Sequence, residues 1–273
     1  MKRVFISVDL EGISGVVHGE HTNRDGREHE MARKLMTAET NAAVEGALAG
    51  GADQVVVNDA HGENRNIIPE KLHKEALLIT GDSKLYSMME GIQDKESYHC
   101  AMFVGYHAAM GQHGVLSHTY VGSVVKEVRI NGQMMGETGI NALVAGHYLV
   151  PVTLVTGDQQ VCDEAAALLP GVVTAAVKNA RGRYAASSVH PQVARDLIRE
   201  NACRAMKVEL QPLQPTIPLK LELTFLDSGQ AEAAALLPGV EYIDPVTLGW
   251  AAPDVDAMYR VLLVLINLGM AYN

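Results

Sequence analysis

Three short, almost wholly apolar runs each lead into acid or histidine, and this pattern constrains the fold more than any other feature. They are Val4-Phe5-Ile6-Ser7-Val8 before Asp9-Leu10-Glu11, Val55-Val56-Val57 before Asn58-Asp59-Ala60-His61, and Ala101-Met102-Phe103-Val104 before Gly105-Tyr106-His107. Continuous apolar runs of this length read as strands buried on both faces, the habit of parallel sheets. Each strand then delivers a metal-ligand type of side chain just past its C-terminal end. That edge is where open α/β sheets bind ligands. Carboxylate oxygen with imidazole nitrogen suits zinc and similar divalent ions. The pattern implies a metal-dependent hydrolase.

The rest of the chain fits around these runs. A polar loop over 12–26 leads to a helix over 27–50, with Met31, Leu35, Ala38, Ala42 and Val44 at helical spacing and Gly50-Gly51 as its stop. With the strands at 3–8 and 54–58 this makes a strand-helix-strand unit, hence a right-handed parallel crossover. Strands at 77–80 and 101–105 follow, and a hairpin turns at Asn131-Gly132. A helix at 136–148, a strand at 152–155 and a helix over 161–169 come next, the last with Asp158 as its N-cap. A proline-rich connector at 211–218 precedes a strand at 219–225 and a final helix over 255–270. The expected fold is α/β: a mostly parallel central sheet with helices on both faces, plus a smaller C-terminal α/β layer or domain. The expected division is a metal-binding catalytic domain over 1–165 and a smaller domain over 166–273.

Composition narrows the partners. A net charge of −10 over 273 residues argues against nucleic acid and anionic membrane surfaces, which need a cationic face. The three cysteines, Cys100, Cys162 and Cys203, have no paired spacing, so a disulfide framework and a thiolate zinc site are both disfavoured. Free thiols fit a reducing cytoplasm. The apolar run after Lys2-Arg3 reaches Asp9 too soon for a signal-peptide core, and the tract over 261–271 is too short to span a bilayer. A cytoplasmic protein is expected.

Asp9 and Glu11 are two residues apart, which in extended chain places both carboxylates on one face. Two acids packed together repel unless a cation or protons intervene. Taken alone, the pair is equally well read as the start of a polar loop. His61 and His107 stand out from the other histidines by their repeated strand-end context. His118, in Gly114-Val115-Leu116-Ser117-His118, can serve as ligand, general base or nucleophile. Glu137 starts a helix, where the helix dipole alone is the better explanation of an acid. Lys178, Arg181 and Arg183 are candidates to bind a substrate carboxylate, with solvated surface charge the better reading of any one of them.

The ordered set of segments Ser7-Val8-Asp9-Leu10-Glu11-Gly12-Ile13-Ser14-Gly15, Asn58-Asp59-Ala60-His61, Gly105-Tyr106-His107, Ser117-His118 and Gly136-Glu137-Thr138-Gly139 resembles the D-aminopeptidase DppA family, peptidase family M55. The resemblance covers most of the chain and weakens toward its end. It implies a binuclear zinc aminopeptidase with two Zn2+ per chain. Asp9 would bridge the ions, Glu11 and His61 would complete one site, and His107 and Glu137 the other. His118 would be the catalytic nucleophile or base, and Asp59 is a conjectured partner of the His61 ring. It further implies short peptide substrates with D-residues such as D-Ala, and a large homo-oligomer, a decameric ring in the family's best-known member. The competing readings are a metal-dependent amidohydrolase acting on another small amide or on L- or mixed-chirality peptides, and a non-catalytic ring-forming peptide-binding protein. The apolar segments 219–225 and 255–270 are expected either to form the oligomer interface or to pack as the chain's own core.

Overall fold

The computed structural model describes residues 1–272. The chain begins β1 (Arg3–Val8), a short α1 (Gly19–Thr22), α2 (His29–Ala49), β2 (Gln54–Asp59), β3 (Ala76–Ile79) and β4 (Cys100–Tyr106). It continues β5 (Val125–Ile130), β6 (Gln133–Met134), α3 (Glu137–His147), β7 (Val152–Asp158), α4 (Gln159–Leu168), β8 (Val173–Gly182), β9 (Ala185–Ser188) and α5 (Pro191–Ala205). The last elements are β10 (Leu219–Phe225), α6 (Ser228–Ala234), β11 (Glu241–Asp244), β12 (Thr247–Ala252) and α7 (Val255–Met270).

Seven strands form one sheet in the order β3-β2-β1-β4-β7-β8-β9, parallel throughout except for β9. Every residue of β1 and of β4 is buried, as their unbroken apolar runs require. On β1, Val4, Ile6 and Val8 share a core with Ala32, Met36 and Ala43 of α2 and with Ile198 of α5. Phe5, pointing the other way, shares a core with Ile140 of α3, Val161 of α4 and the second sheet. Helices therefore cover both faces. The strand order reverses between β1 and β4, and such a switch point opens a crevice at the C-terminal edge of the sheet.

The second sheet is antiparallel, in the order β11-β12-β10-β5-β6. Its β5–β6 hairpin turns at Asn131 and Gly132 with φ of 52° and 79°, the left-handed pair a tight primed turn needs. Leu219, Leu221, Leu223 and Phe225 all point inward from β10 and meet Leu262 and Ile266 of α7. The inner faces of both late apolar segments are thus core. Val264 and Met270 remain exposed on α7, and Leu236 with Tyr242 and Ile243 of β11 are exposed beyond it.

The buried face of α2 is broader than the spacing implies: Ala42 and Val44 are buried and Leu35 packs on the same core as expected, Ala32, Met36 and Ala43 join them, and only Met31 of the expected stripe is exposed. Two readings need revision. β7 extends to Asp158, which caps α4 by accepting from the Val161 N–H as expected. The 165/166 boundary falls inside α4; β8 and β9 extend the first sheet beyond it, and β5 and β6 join the second sheet from before it. We propose the two sheets, rather than two consecutive halves, as the units of organisation. No helix among the described residues is long and apolar enough to cross a membrane.

At the switch point backbone meets backbone. A Cβ on Gly12 would lie 1.9 Å from the Tyr106 carbonyl oxygen, and one on Gly105, whose φ is +71°, would lie 2.3 Å from that of Asp9. Gly12→Ala is therefore expected to lower stability by about 1–3 kcal/mol, as overpacking does, and to splay the loop carrying Asp9 and Glu11. Urea unfolding checks this; an unchanged midpoint would show that the close approach carries no constraint.

Candidate metal centre

The six residues singled out in the sequence converge on this crevice. Leaving β1, the Asp9 N–H donates to the Val104 carbonyl at 2.8 Å and the Gly12 N–H to that of Gly105 at 2.7 Å, so the acidic loop is stitched to β4. After β2, the Ala60 N–H donates to the Val8 carbonyl at 2.8 Å and brings His61 over the same edge. His107 follows β4 directly, Glu137 opens α3, and His118 comes from the loop between β4 and β5. Two groups able to hold an ion result: Asp9, Glu11 and His61, and His107, His118 and Glu137.

Asp9 lies between them and presents a different oxygen to each. Its Oδ1 is 3.2 Å from His61 Nδ1, and its Oδ2 is 3.4 Å from His107 Nε2. His61 Nδ1 is also 2.9 Å from Glu11 Oε2, and His107 Nε2 is 3.3 Å from Glu137 Oε2. Donors about 2.0–2.1 Å from a tetrahedral zinc ion stand roughly 3.3 Å apart. Asp9 Oδ2, Glu11 Oε2 and His107 Nε2 are buried, and although ion-pair partners stand 2.9, 3.3 and 3.4 Å away, none of the three meets hydrogen-bond geometry. Unpaired buried polar atoms are costly; three aimed at a common space, at this spacing, fit a shared cation. The donor set, carboxylate and imidazole without thiolate, fits zinc and its neighbours.

Backbone carbonyls set each imidazole. His61 Nε2 donates to Thr22 O at 3.0 Å, His107 Nδ1 to Ala108 O at 2.9 Å, and His118 Nδ1 to Leu116 O at 2.9 Å. In its neutral form each ring then turns its other nitrogen, as a lone pair, toward the centre. The rings of His107 and His118 stack at 4.2 Å, and His118 Nε2 lies 3.9 Å from Glu137 Oε1. Glu137 does not cap its own helix. Its Oε1 accepts from the Tyr120 N–H at 2.6 Å while Oε2 faces His107.

Two sequence readings are overturned here. Asp59 does not touch His61; its carboxylate accepts from the Asn66 and Ile67 N–H groups at 2.6 and 2.7 Å and so ties down the loop that carries His61. Lys178 is neither surface charge nor open to substrate. It is 1% exposed, and its ammonium donates to the carbonyls of Glu11, Ile13 and Val16, clamping the acidic loop from below. Burial lowers its pKa to about 8 against the opposing pull of Asp158 and Glu39. A lysine closing the Val173-Thr174-Ala175-Ala176-Val177 run was the available signal. Arg181 bonds to Ser187 on the surface, and Arg183 reaches the Ser117 carbonyl beside His118.

The charges are mutually dependent. Burial and the neighbouring Glu11 raise Asp9 to about 7. Burial also works against Glu11, but the charge of His61 outweighs it and holds Glu11 well below the carboxylate range. In Glu137, burial is outweighed in the same way by His107. Burial opposes charge on the imidazoles too, yet Glu11 holds His61 well above its usual value and Glu137 lifts His107 to about 10. His118 moves the other way, lowered by burial and by His107. A cavity of about 670 Å³ opens onto Asp9, His61, His118 and Glu137. Its far wall is Leu263, Ile266 and Asn267 of α7, which no sequence pattern assigned to the site.

The fold and centre fit a metal-dependent hydrolase, and comparison with known proteins places the chain in the metallo-aminopeptidase class. The model of the D-aminopeptidase family, M55, matches residues 1–264, and the chain belongs to that family. A D-aminopeptidase of Bacillus subtilis (strain 168) is 40% identical over 271 residues, covering 98% of both chains. A solved structure, the Zn-dependent D-aminopeptidase DppA from Bacillus subtilis, described as a self-compartmentalizing protease, superposes with a TM-score of 0.95 at 39% identity, again over 98% of both chains.

In the metal-free state at neutral pH, His61 and His107 carry protons because their pKa values are raised, and Asp9 is partly protonated. Ligation requires the deprotonated forms. Cation uptake at pH 7 is therefore expected to release protons, and affinity to rise with pH and fall on acidification. Calorimetric titration of a divalent cation in buffers of different ionisation enthalpy measures this. A heat independent of buffer would contradict the assignment of these imidazoles as ligands.

Proposed function

We propose that the protein is a zinc aminopeptidase that removes N-terminal residues, D-Ala among them, from short peptides at a pair of Zn2+ ions. The observation that carries the pair is Asp9, whose two oxygens face two separate ligand groups 3.2 and 3.4 Å away. In this reading Asp9 bridges, Glu11 and His61 hold one ion, and His107 and Glu137 hold the other. The Zn-dependent relative supports zinc as the metal. When bound, such ions supply Lewis acidity toward the scissile carbonyl and lower the pKa of water.

His118 supplies the proton transfers. With Nδ1–H committed to Leu116 O, its Nε2 carries the lone pair and lines the cavity. Its lowered pKa leaves it neutral at pH 7, ready to take a proton from attacking water and return it to the leaving amine. A second reading has a specific basis: the grouping of His118 with His107 and Glu137 suits a further ligand to the second ion.

The self-compartmentalizing relative supports a closed homo-oligomer, with a decameric ring as our expectation. The exposed apolar side chains at the β11 edge suit burial between copies. The three free thiols fit a reducing cytoplasm.

His118→Ala is expected to keep its metal and to lose on the order of 10²-fold or more in kcat on D-alanyl peptides. Loss of one metal equivalent would favour the ligand reading instead, and near-normal kcat would remove His118 from the chemistry. Light scattering on the eluting native protein is expected to show a particle many times the 29.4 kDa chain. A species of the chain's own mass across micromolar dilutions would contradict the closed assembly.

A further inference from the structure

Among the described residues, the cavity over the candidate metal centre is lined by acids and imidazoles but by a single lysine or arginine, Lys84. Its Nζ donates to Asn58 Oδ1 at 2.8 Å and to the Asp59 carbonyl at 2.6 Å. An ammonium has three N–H donors, so one remains for an occupant of the cavity. Burial lowers Lys84 only to about 8, which keeps it mostly charged at neutral pH. The acids nearest the mouth are engaged from outside: Glu63 accepts from Arg24 at 2.6 Å, and Asp82 lies 3.8 Å from Arg65. Ser83 and Ser87, on either side of Lys84, hold φ of 61° and 42°, a bend non-glycine residues rarely adopt.

The placement of Lys84 sets a length. Asp59 pairs with Val8 across the β1–β2 ladder, and Asp9 follows Val8. Adjacent strands lie about 4.8 Å apart; the Ala60 N–H is the group that reaches across to Val8, so the Asp59 carbonyl points to the far side of β2, and an ammonium bonded to it sits roughly 7–12 Å from the Asp9 cluster. One peptide residue spans about 3.8 Å. A scissile carbonyl at the cluster therefore brings the terminal carboxylate of a dipeptide or tripeptide to Lys84.

We propose that Lys84 pairs with the free C-terminal carboxylate of a di- or tripeptide and so selects short peptides with a free carboxyl end. This rests on the aminopeptidase reading and names the substrate feature recognised beside the scissile bond. Lys84 does no chemistry; it is a specificity-determining residue.

The test compares D-alanyl-D-alanine with its C-terminal amide, in the native enzyme and in Lys84→Met and Lys84→Arg. The native enzyme is expected to prefer the carboxylate by about 10- to 100-fold in kcat/KM, the range of a charge-assisted hydrogen bond. Lys84→Met should collapse that preference toward one, chiefly through KM, and Lys84→Arg should restore much of it. The ratio between the two substrates is read within each variant, so a general loss of fold or metal does not imitate the result. Equal losses on both substrates, or no preference in the native enzyme, would overturn the proposal while leaving an aminopeptidase. Hydrolysis of neither substrate by the metal-loaded native enzyme would overturn both.

Discussion

Three carboxylates and two imidazoles, each no more than lightly exposed, share one crevice, and the repulsion among the acids is the constraint on which the surrounding structure depends. Asp9, Glu11 and Glu137 are all nearly inaccessible to water. Like charges at this spacing cannot all ionise without counter-charge. In the metal-free protein the counter-charge is protonic, carried by His61 and His107 with Asp9 partly protonated. In the reading proposed above, a divalent cation would replace those protons and give Asp9 Oδ2, Glu11 Oε2 and His107 Nε2 a shared partner. The centre is thus poised between two ways of satisfying one set of charges.

Much of the nearby structure holds this unfavourable set in place. Lys178, from β8, gathers three carbonyls of the acidic loop. Asp59 fixes the loop of His61 through two backbone N–H groups, and Lys84 ties the end of β2 to the cavity wall. Thr22, Ala108 and Leu116 orient the three rings through their carbonyls. Lys178, Asp59 and Lys84 act as struts that already hold the six site side chains together. Preorganisation of this kind makes a binding site precise.

The central strands were legible because a parallel sheet buried on both faces demands unbroken apolar runs, and the residues just after them sit at the binding edge wherever such a sheet forms. Asp9, Glu11, His61 and His107 followed from that rule. Glu137 did not, because an acid in a helix's first turn is common for dipole reasons alone; only the family resemblance raised it. Lys178 was misread because a lysine's usual place is in water, and the loop that buries it lies more than 160 residues away. The α5 helix, the β8–β9 hairpin and the β11–β12 pair were not read at all. α5 is a polar helix whose clearest signal was Pro191 at its first position after His190, and β11 is wholly exposed. The wall contributed by α7 is a tertiary fact, since nothing in the amphipathic repeat of that helix says which cavity it closes.

The claim that one bridging carboxylate organises two ions is tested most directly by anomalous diffraction from zinc-loaded crystals above and below the zinc edge. The account requires two peaks per chain, about 3.5–4 Å apart as in other two-metal centres, with Asp9 between them, Glu11 and His61 on one and His107 and Glu137 on the other. A single peak, or two peaks with Asp9 bound to only one, would contradict it.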